Sequence, residues 1–183
     1  MITRSFDSQR QRQQRENEFE TLAPSDDTSA PRARPDGPSL KARAVAYLSR
    51  RERSRVELAR KLRAYAESAE EIETVLDALQ KEGWQSNARF AQSLVHRRAP
   101  RQGTARILQE LRQSGVEDAD VAELRDGLRA TEYDRALEVW RRRYGVKPQD
   151  RSAYTKQARF MASRGFAHDV IRRLLGEGDD ESA

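Results

Sequence analysis

Apolar residues return along this chain in three echoing sets. Ala44 and Leu48, Phe90 and Leu94, and Ala136 and Trp140 are pairs four apart, offset from one another by 46 and 46 residues. Further on, Leu62, Leu111 and Met161 are each followed at the same distance by Ile72, Val121 and Ile171, and then by Val75, Leu124 and Leu174. The later positions are offset by 49 and 50 residues. A period in this range marks a tandem array of small supersecondary units, which bury their apolar faces partly at the junctions between units. Inside a unit the spacing is helical, as in Ile72, Val75, Leu76 and Leu79, which share one face at i, i+3, i+4 and i+7.

Polar punctuation divides each set into three helices. In the first, a helix is expected over 41–51. Ser54-Arg55-Val56-Glu57 has the form of a capping box and starts a second helix to about Tyr65. Ser68-Ala69-Glu70-Glu71 repeats the form and starts a third to Glu82, ended by Gly83. In the second set Ser86 caps Asn87–Arg98, Pro100 and Gly103 make the break, a helix over 104–114 ends at Gly115, and Asp118 caps the next. The third set begins near Thr131, breaks at Tyr144-Gly145 and Pro148, continues over 150–164 to Gly165, and closes with His168–Leu175. The expected fold is all-α: an elongated tandem array of three helix-turn-helix-like, three-helix repeats over 40–85, 86–130 and 131–176. Residues 1–39 are polar and proline-broken and read as a disordered leader. Residues 177–183 form an acidic tail. Trp140 is expected in the core, and Trp84 to pack across a junction between units, with stacking on a base as the lesser alternative.

Composition narrows the chemistry. There is no cysteine, so disulfides, thiolate catalysis and cysteine-based zinc sites are excluded. His96 and His168 are the only histidines and fall in different units. His168-Asp169 beside Ser163 is a helix start rather than a triad, and the acids of the third helices sit on solvent faces. No glycine-rich phosphate loop is present. The chain is read as a non-enzyme without cofactor or metal. No apolar run of membrane-helix length and no signal core is found, so a cytoplasmic protein without membrane contact is expected; it is read as a monomer, although nothing in the sequence fixes the oligomeric state.

Charge follows the repeat. Residues 41–63 hold nine bases and two acids, 97–112 five and one, and 141–173 ten and two. Residues 67–82 hold one base and six acids, and 117–134 two and seven. The first two helices of each unit are therefore basic, and the third is acidic except in the last unit. A basic, arginine-rich surface points to an anionic partner, nucleic acid first. The candidate contacts are Arg50, Arg51, Arg53, Arg55, Arg60 and Lys61 in the first unit. In the second they are Arg97, Arg98, Arg101 and Arg106. In the third they are Arg141, Arg142, Arg143, Lys156, Arg159, Arg172 and Arg173. Arg51, Arg97 and Arg143 share one register, 46 residues apart, and would form a stripe if the units stack regularly.

Several stretches then carry a resemblance. Residues 47–54 read Tyr-Leu-Ser-Arg-Arg-Glu-Arg-Ser, with Glu57-Leu58 and Lys61-Leu62 after them. Residues 79–84 read Leu-Gln-Lys-Glu-Gly-Trp, followed by Arg89-Phe90-Ala91. Arg97-Arg98 to Gly103 precedes Arg106-Ile107-Leu108-Gln109-Glu110-Leu111, and Arg164-Gly165-Phe166 precedes Asp169-Val170-Ile171. In order and spacing these resemble the RecX family of RecA regulators over about residues 40–175. Gln85-Ser86-Asn87 stands where that family usually shows acids, and the leader is outside the pattern. The resemblance implies a RecA filament as partner, together with single- and double-stranded DNA. It further implies binding in the groove of the RecA–DNA filament, suppression of strand exchange and ATP hydrolysis, and a place in recombinational repair and the SOS response. Two other readings follow from the residues alone: a sequence-independent DNA binder acting without RecA, and a protein-interaction scaffold using the acidic helices. A nuclease would need a carboxylate constellation that is not seen. The second helices carry unlike surfaces, which argues against a shared base code.

Overall fold

A computed structural model of the chain describes residues 37–117 and 119–176. Nine α-helices run through the described residues: α1 Leu40–Leu48, α2 Arg55–Leu62, α3 Ala69–Lys81, α4 Asn87–Arg98, α5 Thr104–Gln113, α6 Ala122–Ala130, α7 Glu132–Arg143, α8 Arg151–Ser163 and α9 His168–Leu175. A short 3-10 turn, Ala119–Val121, leads into α6. The sequence expected α6 to be capped by Asp118, which lies outside the described residues, as do residues 1–36 of the leader and the tail 177–183. Ser39, assigned to the leader, is the N-cap of α1 and accepts from Ala42 N.

The caps explain where the helices start. Ser54, Ser68, Ser86 and Asp150 each accept a hydrogen bond from the amide three residues on, satisfying a donor that the helix itself leaves open. The reciprocal half of the expected box at Ser54 does not form. The Glu57 carboxylate is held instead at 2.9 Å by Arg51 Nη2. Ser54 is fully buried, so its cap is made where no water can replace it. Ser54→Ala is expected to cost about 1 kcal/mol, and the exposed cap Ser68→Ala less, as read from thermal unfolding. Gly83, Gly115, Gly145 and Gly165 stand at helix ends with φ of 70–82°, as the spacing suggests.

Three separate cores match the three sets. Leu40, Ala44, Leu58, Leu62, Ile72, Leu76 and Leu79 form the first, from α1–α3. The second joins Phe90, Leu94, Ile107, Leu111, Val116, Val121 and Leu128. The third joins Ala136, Val139, Trp140, Met161, Phe166, Ile171, Leu174 and Leu175. Trp140 is buried and its Nε1 donates to Gln157 Oε1 at 2.7 Å, which satisfies the indole and ties α7 to α8.

The junctions are polar. Between the first two units, Gln85 Nε2 donates to the Arg53 carbonyl and to Asn87 Oδ1, and Asn87 Oδ1 also accepts from Arg55 N at 3.1 Å. An amide at 85 can donate where a carboxylate could not, which gives physical sense to this departure from the acidic pattern. Between the second and third, Glu132 is buried and its Oε1 accepts from Thr104 N at 3.1 Å and Ala167 N at 3.2 Å. Those amides open α5 and α9, whose N-caps, Gly103 and Ala167, offer no side-chain acceptor. Arg135 lies beside Glu132 and donates to Ala99 O, Gln102 O, Leu128 O and Thr104 Oγ1. Its desolvation draws its pKa down from the ordinary arginine value, with the Glu132 charge opposing. Gly103 N donates to Arg164 O at 2.9 Å, and a Cβ on Gly103 would stand 2.1 Å from the Gly165 carbonyl oxygen. Glycine is required there because two backbones meet.

Candidate nucleic-acid interface

The loop after α1 sets the first group of cations. α1 stops at Leu48, short of the expected 51, where Ser49 Oγ donates back to Ala46 O. Arg51 therefore lies beyond the helix, unlike Arg97 and Arg143, which stand in the last turns of α4 and α7. Arg51 also donates to Glu52 O at 3.0 Å. Arg53 is largely enclosed, with its guanidinium 5.4 Å from the Tyr47 ring centroid and its Nε on Tyr47 O. Burial lowers its pKa, with Arg51 adding and Glu57 opposing. Arg55 turns toward α3, bonding Glu73, Asp77 and Gln80. Burial works against its charge, but the Glu73 and Asp77 hydrogen bonds outweigh it and raise its pKa. The acids of α3 are thus partly neutralised by the basic helix beside them.

The second group is also divided. Arg98 grips Glu110 through two nitrogens at 2.7 and 3.0 Å, and this pair raises its pKa. Arg106 Nη1 donates to Ser163 O at 2.8 Å, bracing the second unit against the third. Arg97 Nε is on Ser93 O at 3.2 Å, leaving the group exposed.

Of the predicted contacts, those that remain free lie mostly late in the chain. The side chains of Arg50, Arg60, Arg101, Arg142, Lys156, Arg159 and Arg172 are exposed and have no partner among the described residues. Four of these seven are on the third unit. Lys61 and Arg143 lie only loosely over Tyr47 and Tyr144, Arg173 stacks on Tyr133 at 3.9 Å, and Arg141 reaches Glu138 at 3.5 Å. All four are exposed. A shallow depression on α8 is lined by Arg151, Ser152, Thr155, Lys156 and Arg159. Sequence reasoning missed Arg151; its position one turn before Thr155 and two before Arg159 on a helix was the available signal. Trp84 corrects another expectation. It is not buried in the junction but 50% exposed, and the bonds across that junction are made by Gln85, Asn87 and Arg89.

No group of three or more histidines and carboxylates able to hold a metal occurs among the described residues, and no described helix is long and apolar enough to cross a membrane.

Three family models match in order: the first three-helix domain of RecX over 41–79, the second over 86–124 and the third over 130–175. A "Regulatory protein RecX" of Ralstonia nicotianae is 52% identical over 141 residues, covering 77% of this chain and 89% of the relative. The protein of that name from Chromobacterium violaceum is 41% identical over 146 residues, covering 80% of this chain and 95% of its own. In fold, the crystal structure of RecX from Lactobacillus salivarius superposes with a TM-score of 0.60 at 21% identity, covering 74% of this chain and 91% of that one. With all three domains matched in order and relatives at this identity, the chain belongs to the RecX family of regulatory proteins.

Proposed function

We propose that this chain is a regulator of RecA that lies in the groove of the RecA–DNA filament and suppresses strand exchange and ATP hydrolysis. It acts as a cytoplasmic monomer of three units, 40–85, 86–130 and 131–176. Family membership supports RecA as the partner. One structural observation supports contact with DNA: of the exposed, unpartnered cations among the described residues, six lie on the third unit, at Arg142, Lys147, Arg151, Lys156, Arg159 and Arg172, against four on the first and two on the second. Cations already paired inside the protein gain little by meeting phosphate, since each new contact costs an old one. Free cations release counterions from DNA at no such cost. The acidic helices of the first two units then face RecA.

The test is RecA ATPase activity on single-stranded DNA with this protein titrated in. Inhibition is expected well below RecA stoichiometry. Inhibition only at concentrations that coat the DNA would favour a binder acting without RecA, and no inhibition would leave a scaffold.

A further inference from the structure

The exposed indole of Trp84 stands on one of the most tethered loops in the protein. Arg89 Nη2 donates to the carbonyls of Gly83 and Trp84 at 2.9 and 2.8 Å, and its Nε bonds Glu52 Oε1 at 2.7 Å. The next residue, Gln85, is buried and bonded on two sides. A slack main chain does not account for the exposure. The backbone is fixed, yet half of the side chain is left in water.

The surroundings say what would cover it. Gln80, Lys81, Glu82 and Arg89 are all exposed around this turn. An aromatic anchor for a protein pocket normally sits within an apolar patch whose rim excludes water, and among the described residues the only other exposed large hydrophobic is Val146. A lone flat ring among polar groups is best covered by another flat ring. The Glu52–Arg89 bridge ties this loop to the segment that carries Arg50, which is two residues before Glu52, exposed and without a partner among the described residues. An exposed aromatic face together with a free cation on the segment tethered to it is a combination that can hold single strands, with the ring stacking a base and the cation meeting phosphate. Duplex bases are already stacked on one another, so a duplex cannot offer this contact.

We infer that Trp84 is a base-stacking residue of a single-stranded DNA site at the junction of the first two units, with Arg50 as its phosphate partner. The site is distinct from the basic surface of the third unit. It rests on the proposed function only in taking DNA as a partner.

The two tryptophans make it testable in the intact chain. The probe is a labelled oligo(dT) of about 20 nucleotides, longer than a single site. Its binding is followed by anisotropy, and tryptophan emission is read in parallel. Binding should quench the wild-type emission but leave that of Trp84→Phe, which comes from buried Trp140, unchanged. Trp84→Ala should bind oligo(dT) about tenfold more weakly, and Trp84→Phe at most about threefold, as a retained ring predicts. Oligo(dT) binding with Trp84 emission untouched overturns the stack and leaves the RecA reading standing. Equal quenching by an abasic strand overturns it too, as does quenching by RecA alone with none from oligo(dT). Failure to inhibit RecA ATPase, with Trp84 still quenched by oligo(dT), sinks only the regulatory reading.

Discussion

Glu132→Ala should lower the melting temperature by about 10 °C, from a loss of about 3 kcal/mol in an ordered region of this size. The carboxylate is buried and accepts from Thr104 N, the first amide of α5, and from Ala167 N, the amide of the α9 N-cap, at two helix starts with no other side-chain cap. Each lost charge-assisted cap costs about 1–2 kcal/mol. Arg135 loses its neighbouring anion but keeps four oxygen acceptors. The cost therefore stays at the low end of the roughly 3–5 kcal/mol seen when a buried pair is broken. Glu132→Gln retains one acceptor oxygen and should lose less. Glu138→Ala, which removes only an exposed pair with Arg141, should change stability by no more than about 0.5 kcal/mol. Calorimetry reads the melting shift, and amide exchange should quicken at Thr104 and Ala167 in Glu132→Ala. A shift below about 3 °C, or protection retained at both amides, would show that the junction does not depend on this carboxylate.

The contrast between Glu132 and Ser54 shows which parts of the fold were legible. Ser54, Ser68, Ser86 and Asp150 cap amides three residues away, so the sequence window holds both partners. The last helix runs over His168–Leu175 as its spacing predicts. Glu132 binds amides 28 and 35 residues away, on helices whose approach depends on how the units pack. In the sequence it is only one of the seven acids of residues 117–134. The Ser54 box failed in its second half for a related reason, since Arg51 and Arg53 compete for Glu57 from the preceding loop. Charge counts located the basic surface but could not divide it. Arg55 and Arg172 look alike in sequence, yet Arg55 is bonded to α3 and Arg172 has no partner among the described residues. Trp84 was misplaced because an apolar residue beside a glycine turn reads as packing, while the polar side chains that fill that junction leave no room to see the exposure from sequence.

Reversing Arg142, Lys156, Arg159 and Arg172 together to Glu should weaken single-stranded DNA binding by several hundredfold at about 0.1 M salt. The salt dependence should become shallower by about three units of logarithmic slope, since each phosphate contact on a single strand contributes about 0.7. None of the four side chains is bonded within the described structure, so the variant should melt close to wild type. Reversing Arg51, Arg53, Arg55 and Arg98 makes the opposite case. Those guanidiniums hold Glu57, Glu73, Asp77 and Glu110, and their loss should show mainly as reduced stability with little change in slope. The register of Arg51, Arg97 and Arg143 falls between the two. Arg51 is engaged by Glu57 and lies outside its helix, so reversing this set should remove no more than two phosphate contacts. Titration of a labelled strand across a salt series, with melting measured on the same samples, separates the cases. An unchanged slope in the third-unit variant would place the DNA contact elsewhere. A lowered melting temperature in that variant would mean that its cations support the fold rather than stand free for phosphate.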